Sequence, residues 1–156
     1  MRWRRPRISI GLFIIGMVLI GSAVIFKYTS AEPAAPNRQS GDVELLARVI
    51  RAEAEAEPFT GQVAVGAVIM NRIQNSKFPK TIAGVIYQPS AFESVSNGEI
   101  NRAATDSARR AAQSAISGWD PSGGALFFFN PAKVGARSYV WTRKIIQQIG
   151  KHVFAL

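Results

Sequence analysis

The chain has 156 residues, and its 19 lysines and arginines exceed its 10 aspartates and glutamates, so the formal net charge is +9. Apolar residues make up 47% of the chain, which excludes wholesale disorder, and the length suits about one domain. It has no cysteine and one histidine, His152, which excludes disulfides, a cysteine nucleophile and cysteine-rich or multi-histidine metal sites. We therefore expect the chemistry to depend on carboxylates, hydroxyls, amides and basic groups, with no cofactor and no metal.

The N-terminal part of the chain predicts a membrane segment followed by a linker. Residues 8–26 are uncharged, and as a helix that rises ~1.5 Å per residue they would span a bilayer core of roughly 30 Å. Arginines crowd residues 1–7 and only Lys27 follows the apolar run, so we expect a cytoplasmic N-terminus and an external remainder. Residues 27–41 are rich in proline, alanine and serine and are predicted to be a linker. A cleaved secretory signal is the alternative, and both interpretations export a domain of residues 42–156.

The exported domain is predicted to be α+β, mainly helical with one small β-sheet. Apolar spacing predicts the helices, and proline or glycine ends most of them. Residues 125–130 and 137–141 are predicted to form paired short strands. The predicted helices cover residues 43–57, 62–74, 81–87, 105–117 and 142–150.

Glu53 is the leading candidate for a functional side chain. In a helix it shares a face with Leu46, Val49 and Ile50, which precede it by seven, four and three residues. An unpaired carboxylate facing a core is costly, and burial favours the protonated form that a general acid needs near neutral pH. The alternative is that Glu53 lies at the frayed end of its helix and reaches water or a basic side chain.

The same helix is predicted to turn its other side to solvent. Glu55 follows Arg51 and Arg48 by four and seven residues, so these charges are expected to form surface ion pairs. Glu57 follows Glu53 by four residues. We expect Glu57 either to favour the protonated form of Glu53 by like-charge repulsion or to be exposed.

An aromatic run over residues 127–129 precedes Asn130 and Pro131. Successive side chains of a strand alternate between its faces, so this run predicts either a strand covered on both sides or one that presents a ring to a cleft. In the second interpretation one ring, with Tyr139 and Trp141, stacks against sugars while Asn130 supplies amide hydrogen bonds.

The remaining carboxylates are weaker candidates. Asp106 lies near the start of a predicted helix, where it stabilises the helix dipole, and Asp120 lies in a predicted turn. Glu93 and Glu99 flank an irregular polar stretch that offers a second acid, although its spacing matches no calcium loop. The basic residues follow no nucleic-acid-binding motif.

Several blocks of sequence stand in a fixed order along the domain: residues 52–54 with 57–58, 61–73, 81–92, 118–131 and 149–152. Through these blocks the chain resembles the SleB/CwlJ-type cell wall hydrolases, which act on peptidoglycan and are best known from spore cortex lysis. The resemblance covers residues 43–154. The chain departs from the family at Ala56, where glycine is frequent, and in the run 127–129, where the family has tyrosines.

The resemblance implies a lysozyme-like or lytic-transglycosylase-like fold with Glu53 as the catalytic acid. By analogy with related transglycosylases, it also implies that Gln88, Phe92, Phe129 and Asn130 bind sugar. The expected reaction cleaves the β-1,4 bond between N-acetylmuramic acid and N-acetylglucosamine. Glu53 would protonate the leaving oxygen and then deprotonate the muramoyl C6 hydroxyl, so that a 1,6-anhydro ring forms.

Two other functions fit the same residues. A hydrolytic muramidase would use Glu93, Glu99 or Asp106 as a second carboxylate. A non-catalytic module would bind glycan and tether the membrane to the wall, which the changed aromatic run permits. The expected partners are peptidoglycan glycan strands and, through residues 8–26, the membrane; no nucleic acid is expected, and the sequence identifies no regulatory protein.

Overall fold

The computed structural model describes residues 37–156, which form a layer of helices and a small antiparallel sheet. This mainly helical α+β class agrees with the prediction. None of the helices in this range is long and apolar enough to cross a membrane, and the predicted membrane segment 8–26 lies outside the described residues. The helices are α1 (Arg38–Ala54), α2 (Phe59–Gln74), α3 (Ile82–Ile86), α4 (Glu93–Ser96) and α5 (Asp106–Ile116). The strands are β1 (Phe127–Phe129), β2 (Ile145–Ile149) and β3 (His152–Ala155), with 3₁₀ turns at Glu99–Asn101 and Tyr139–Thr142.

The centre of the domain is α2, in which every residue from 61 to 69 is buried. Helices α1 and α5 pack against it and against each other. Gly66 makes this close packing possible, because a Cβ atom there would lie 2.9 Å from Ile50 Cδ1 and 3.0 Å from Ala115 Cβ. Such a helix, buried on nearly all sides, is expected from its almost continuous apolar sequence.

Helix α1 begins and ends earlier than predicted. The side chain of Asn37 accepts a hydrogen bond from the backbone N–H of Gln39 at 3.3 Å, so the helix starts at Arg38 and includes residues predicted to be linker. It ends at Ala54, which leaves Glu57 outside the helix.

Helices α3 and α5 lie within the predicted ranges 81–87 and 105–117, and each has a threonine cap at its N-terminus. Thr81 accepts a hydrogen bond from the backbone of Gly84 at 3.0 Å, and Thr105 accepts one from Ala108 at 3.2 Å. Helix α2 begins earlier than its predicted range 62–74, because it starts at Phe59 with Pro58 in the cap position.

The sheet has the order β1-β3-β2, and both pairings are antiparallel. Phe129 lies opposite Val153, and Ile149 lies opposite His152. All of β3 is buried, whereas β2 is largely exposed at the edge of the sheet. The central strand is therefore the last one in the sequence.

Two predictions for the C-terminal part are wrong. Residues 142–150, predicted as a helix, contain strand β2, and residues 137–141, predicted as a strand, lead into a 3₁₀ turn. Gly150 adopts φ +58°, which permits the tight turn between β2 and β3. The backbone of β3 is buried and needs hydrogen-bond partners on both sides, and this tertiary demand outweighs the helical apolar spacing of β2.

Candidate active site

A groove passes the C-terminal end of α1. It has two parts, of about 430 and 330 Å³, which meet at Glu53. The first part extends along β1 and α4, and the second along the segment that follows α1. The residues that line both parts are Ala52, Glu53, Glu99, Asn130, Lys133 and His152.

Glu53 lies in the last turn of α1, where the groove meets the core. Leu46, Val49 and Ile50, which precede it at helical spacing, are fully buried. The Oε1 atom of Glu53 is itself buried and has no hydrogen-bond partner. A buried polar atom without a partner is rare in native proteins, because it loses water and gains nothing in return. The Glu53 carboxyl lines the groove and, through this oxygen, is not bound to any protein group.

Glu57 is a second buried carboxylate, which corrects the alternative that it is exposed. Its side chain is 5% exposed, and its Oε2 atom accepts a hydrogen bond from the backbone N–H of Lys151 at 2.8 Å. Its Oε1 atom lies 3.7 Å from Nδ1 of His152. Burial lowers the pKa of His152, although the carboxylates of Glu57 and Glu53 act in the opposite direction. The imidazole is therefore neutral at neutral pH.

Arg51 is buried, so its predicted place on a solvated face is wrong. Its guanidinium is 4% exposed, donates to the backbone oxygen of Glu99 and lies 3.4 Å from the Glu99 carboxylate. Arg102 binds the same carboxylate at 3.1 Å, and this hydrogen bond, with the weaker one from Arg51, lowers the pKa of Glu99. Glu55 is exposed as predicted, 3.9 Å from Arg51. The groove thus holds an ionised carboxylate, Glu99, as well as Glu53.

Two of the three rings of the aromatic run line the groove, and the third does not. Phe128 and Phe129 line the first part of the groove, and Phe129 packs edge-on against Trp141 with ring centres 4.9 Å apart. The ring of Phe127 instead lies 5.6 Å from the guanidinium of Arg72, away from the groove. Asn130 also lines the groove, and its Oδ1 accepts a hydrogen bond from the backbone N–H of Ala132 at 2.9 Å.

Four of the predicted sugar-binding residues are not among the lining residues of the groove. Phe92 is buried in the core, with its ring centre 6.3 Å from that of Phe128. Gln88 lies in the turn after α3. Tyr139 and Trp141 are 64% and 39% exposed on the 3₁₀ turn beyond β1. The structure therefore brings together Glu53, Phe129 and Asn130 from the predicted set.

Of the remaining candidate carboxylates, one lines the groove and two lie outside it. Glu93 lines the first part of the groove. Asp106 is exposed and pairs with Arg109 at 3.1 Å, at the start of α5 as predicted. Asp120 accepts backbone hydrogen bonds within its own turn. In the part of the chain that the structure describes, no group of three or more acidic or histidine side chains could hold a metal ion.

Sequence reasoning missed Lys133 and His152 as groove residues. Lys133 lies on the irregular segment after β1, and its charge acts on His152. His152 lies in β3, far along the chain from Glu53. Its place in the sequence block 149–152 was the one signal that could have identified it, because neither spacing nor periodicity relates it to α1.

A family model described as Cell Wall Hydrolase matches residues 56–155, and the chain belongs to that family. A curated relative, the spore cortex-lytic enzyme of Oceanobacillus iheyensis, is 50% identical over 113 residues, which are 72% of this chain and 41% of that protein. The cell wall hydrolase CwlJ of Bacillus subtilis is 42% identical over 99 residues, 59% of this chain and 69% of that protein. The resemblance inferred from the sequence is confirmed.

The fold is that of a solved relative, the catalytic domain of the germination-specific lytic transglycosylase SleB from Bacillus anthracis. The two chains are 43% identical with a TM-score of 0.70, over 74% of this chain and 93% of that one. The Bacillus cereus SleB catalytic domain gives the same TM-score at 42% identity, over 80% of this chain and 94% of that one. The present chain spans less than half of the length of the spore cortex-lytic enzymes that it matches.

Proposed function

We propose that this chain cleaves the β-1,4 bond between N-acetylmuramic acid and N-acetylglucosamine in peptidoglycan, as a lytic transglycosylase with Glu53 as its general acid and base. The observation that carries the proposal is that Glu53 lines the groove while its Oε1 atom is buried without a protein hydrogen-bond partner. A general acid must be within reach of the glycosidic oxygen, and a carboxyl group that lines the groove with one oxygen unpaired by protein meets that requirement. The solved relative described as a lytic transglycosylase supports the same reaction.

The mechanism uses one carboxyl group twice. Glu53 donates its proton to the bridging oxygen as the bond from that oxygen to C1 of the muramoyl unit breaks. The resulting carboxylate then accepts the proton of the muramoyl C6 hydroxyl, whose oxygen bonds to C1 and closes the 1,6-anhydro ring. Phe129 would pack against a sugar face, and Asn130 would hydrogen-bond an acetamido group.

The test incubates purified peptidoglycan with the unmutated full chain or with its Glu53→Gln variant, both in mild detergent. We expect anhydro-muramoyl ends, identified by mass spectrometry, to form about 10²–10⁴ times more slowly with the variant, as is usual when a general acid is lost. Glu44→Gln is the matched control, because Glu44 pairs with Arg109 outside the groove. Equal cleavage by the Glu53 variant would refute the assignment. If both proteins bind the wall and neither releases sugar, the chain is a binding module instead.

A hydrolytic muramidase is the second candidate, and Glu99 favours it. Glu99 lines both parts of the groove with Glu53, and its arginine partners keep it ionised, as a base that activates water must be. Glu99→Gln separates the two reactions. Loss of activity, with reducing muramoyl ends from the unmutated chain, would identify a muramidase. Retained formation of anhydro ends would identify a transglycosylase.

We also propose that the domain acts outside the cytoplasmic membrane, held there by residues 8–26 with residues 1–7 in the cytoplasm. Secretion after cleavage of this segment is the alternative. Cell fractionation followed by N-terminal sequencing of the mature chain tests both. An intact N-terminus in the membrane fraction supports the anchor, and a truncated chain in the medium supports cleavage.

A further inference from the structure

The Glu57 carboxylate is built into the turn between β2 and β3. Its Oε2 atom accepts the Lys151 backbone hydrogen bond, and Gly150 adopts φ +58° beside it. A Cβ atom at Gly150 would overlap with that oxygen, so any side chain at this position would displace the Glu57 carboxylate. Gln62 also holds the segment in place, because its side-chain amide donates to the backbone oxygen of Glu57 at 3.2 Å. Glu57 is therefore fixed, although it lies outside any helix.

His152 lies beside this fixed carboxylate and lines both parts of the groove, the second of which Glu57 also lines. The residue is 7% exposed, and its ring packs edge-on against Phe128 with centres 5.4 Å apart. Its Nδ1 atom is buried, has no hydrogen-bond partner, and lies 3.7 Å from Glu57 Oε1. This separation is longer than a hydrogen bond, so a bond between the two atoms requires the ring or the carboxylate to move until they are about 2.9 Å apart. Glu57 is an acceptor, so that bond requires the proton to be on Nδ1.

Burial keeps the His152 imidazole neutral despite the carboxylates near it. Glu57 after α1 and Glu53 in α1 favour the imidazolium, and Lys133 after β1 opposes it, but burial outweighs the two carboxylates. An imidazolium at this place would put a positive charge in the groove wall near the carboxyl that the proposed mechanism uses as its acid. A neutral imidazole avoids this while still filling the wall of the groove.

We propose that Glu57 and His152 are a positioning pair for Glu53: Glu57 holds the neutral imidazole with its proton on Nδ1, and the ring fixes an uncharged wall of the groove beside the Glu53 carboxyl. Neither residue transfers a proton to the sugar. This inference rests on the proposed function, since a positioning pair needs a reaction to serve.

The first test does not depend on activity. His152 is the single histidine of the chain, so an untagged, ¹⁵N-labelled full chain gives imidazole signals from this residue alone. We expect the Nδ1–H tautomer near neutral pH. Glu57→Gln should redistribute the tautomers and lower the midpoint of the His152 titration further, because it removes a carboxylate that favours the imidazolium. An Nε2–H tautomer that is unchanged by this substitution would overturn the proposal.

The second test separates positioning from folding. We expect Glu57→Gln and His152→Gln each to lower kcat by about 10²-fold with little change in KM, the size of effect that misplacement of a reacting group produces. Because the two residues act as one unit, the double variant should lose no more than the worse single variant. Glu44→Gln should leave kcat unchanged. Additive losses, or losses that match a fall in melting temperature, would overturn the proposal.

A failure of the proposed function looks different from a failure of the pair. An unmutated chain that cleaves no glycan refutes the reaction, and the tautomer of His152 still decides whether the pair exists. An active chain with the wrong tautomer refutes the pair and leaves Glu53 as the acid.

Discussion

The helical layer and the C-terminal part of this domain are held together by different forces. In α1, α2 and α5 the buried side chains are almost all aliphatic, and Leu46, Ile50 and Val68 are completely inaccessible to solvent. After residue 117 the regular structure consists of short strands and one 3₁₀ turn, and much of β2 is exposed. The helical layer is therefore held by apolar packing, whereas the C-terminal part is also held by hydrogen bonds to the helices.

Those attachments are polar side chains that reach from the helical part to the backbone of the C-terminal part. Arg72 donates to the carbonyl oxygen of Leu126 at 2.8 Å, and Asn71 donates to that of Ala125 at 3.1 Å. Glu57 accepts from Lys151. Hydrogen bonds depend on distance and angle, so they fix position more sharply than apolar contact does. These hydrogen bonds matter for the groove, because Glu53 comes from a helix and the facing wall comes from the sheet.

The largest expected effect tests the apolar half of this comparison. Leu46→Ala should lower the free energy of unfolding by about 2–5 kcal/mol, because it leaves a cavity in the middle of α1. Leu156→Ala is the matched control, since Leu156 is exposed at the chain end and its loss should cost far less. Urea denaturation measures both. Equal costs at the two positions would mean that the helical core does not dominate stability.

The same contrast explains how much the sequence could predict. Apolar spacing identified α3 and α5 correctly and placed Glu53 beside buried neighbours, because this signal is local. The order of the strands, the burial of Arg51 and the contact of Glu57 with the β2–β3 turn depend on residues far apart in the chain. No pattern within one element contains that information.

An intermediate effect tests the attachment at Glu57. Gly150→Ala should cost about 2–3 kcal/mol, because a side chain at φ +58° is strained and its Cβ would displace the Glu57 oxygen from Lys151. Gly135→Ala is the control, since a Cβ there meets nothing within 4 Å. Thermal unfolding followed by circular dichroism measures the two. A variant at 150 as stable as the one at 135 would show that the Glu57 contact does not hold the turn.

The smallest effect tests whether polar attachment makes the C-terminal part sensitive to pH. Burial would raise the pKa of Asp120, but hydrogen bonds from Ser122, Asn71 and Gly124 outweigh it and lower that pKa below the ordinary 3.8. A carboxyl group with a lowered folded pKa stabilises the protein fully above its unfolded pKa, and this stabilisation disappears as the pH falls through the folded value.

Asp120→Asn should therefore cost about 1–2 kcal/mol near neutral pH, and the cost should shrink as the pH falls below 3.8. Urea midpoints above and below that pH measure the change. Asp106→Asn is the control, because Asp106 is exposed at the start of α5 and its ion pair with Arg109 contributes little. A cost for Asp120→Asn that stays constant across this range would mean that shape, and not charge, holds the turn before β1. The C-terminal part would then resemble the helical layer after all.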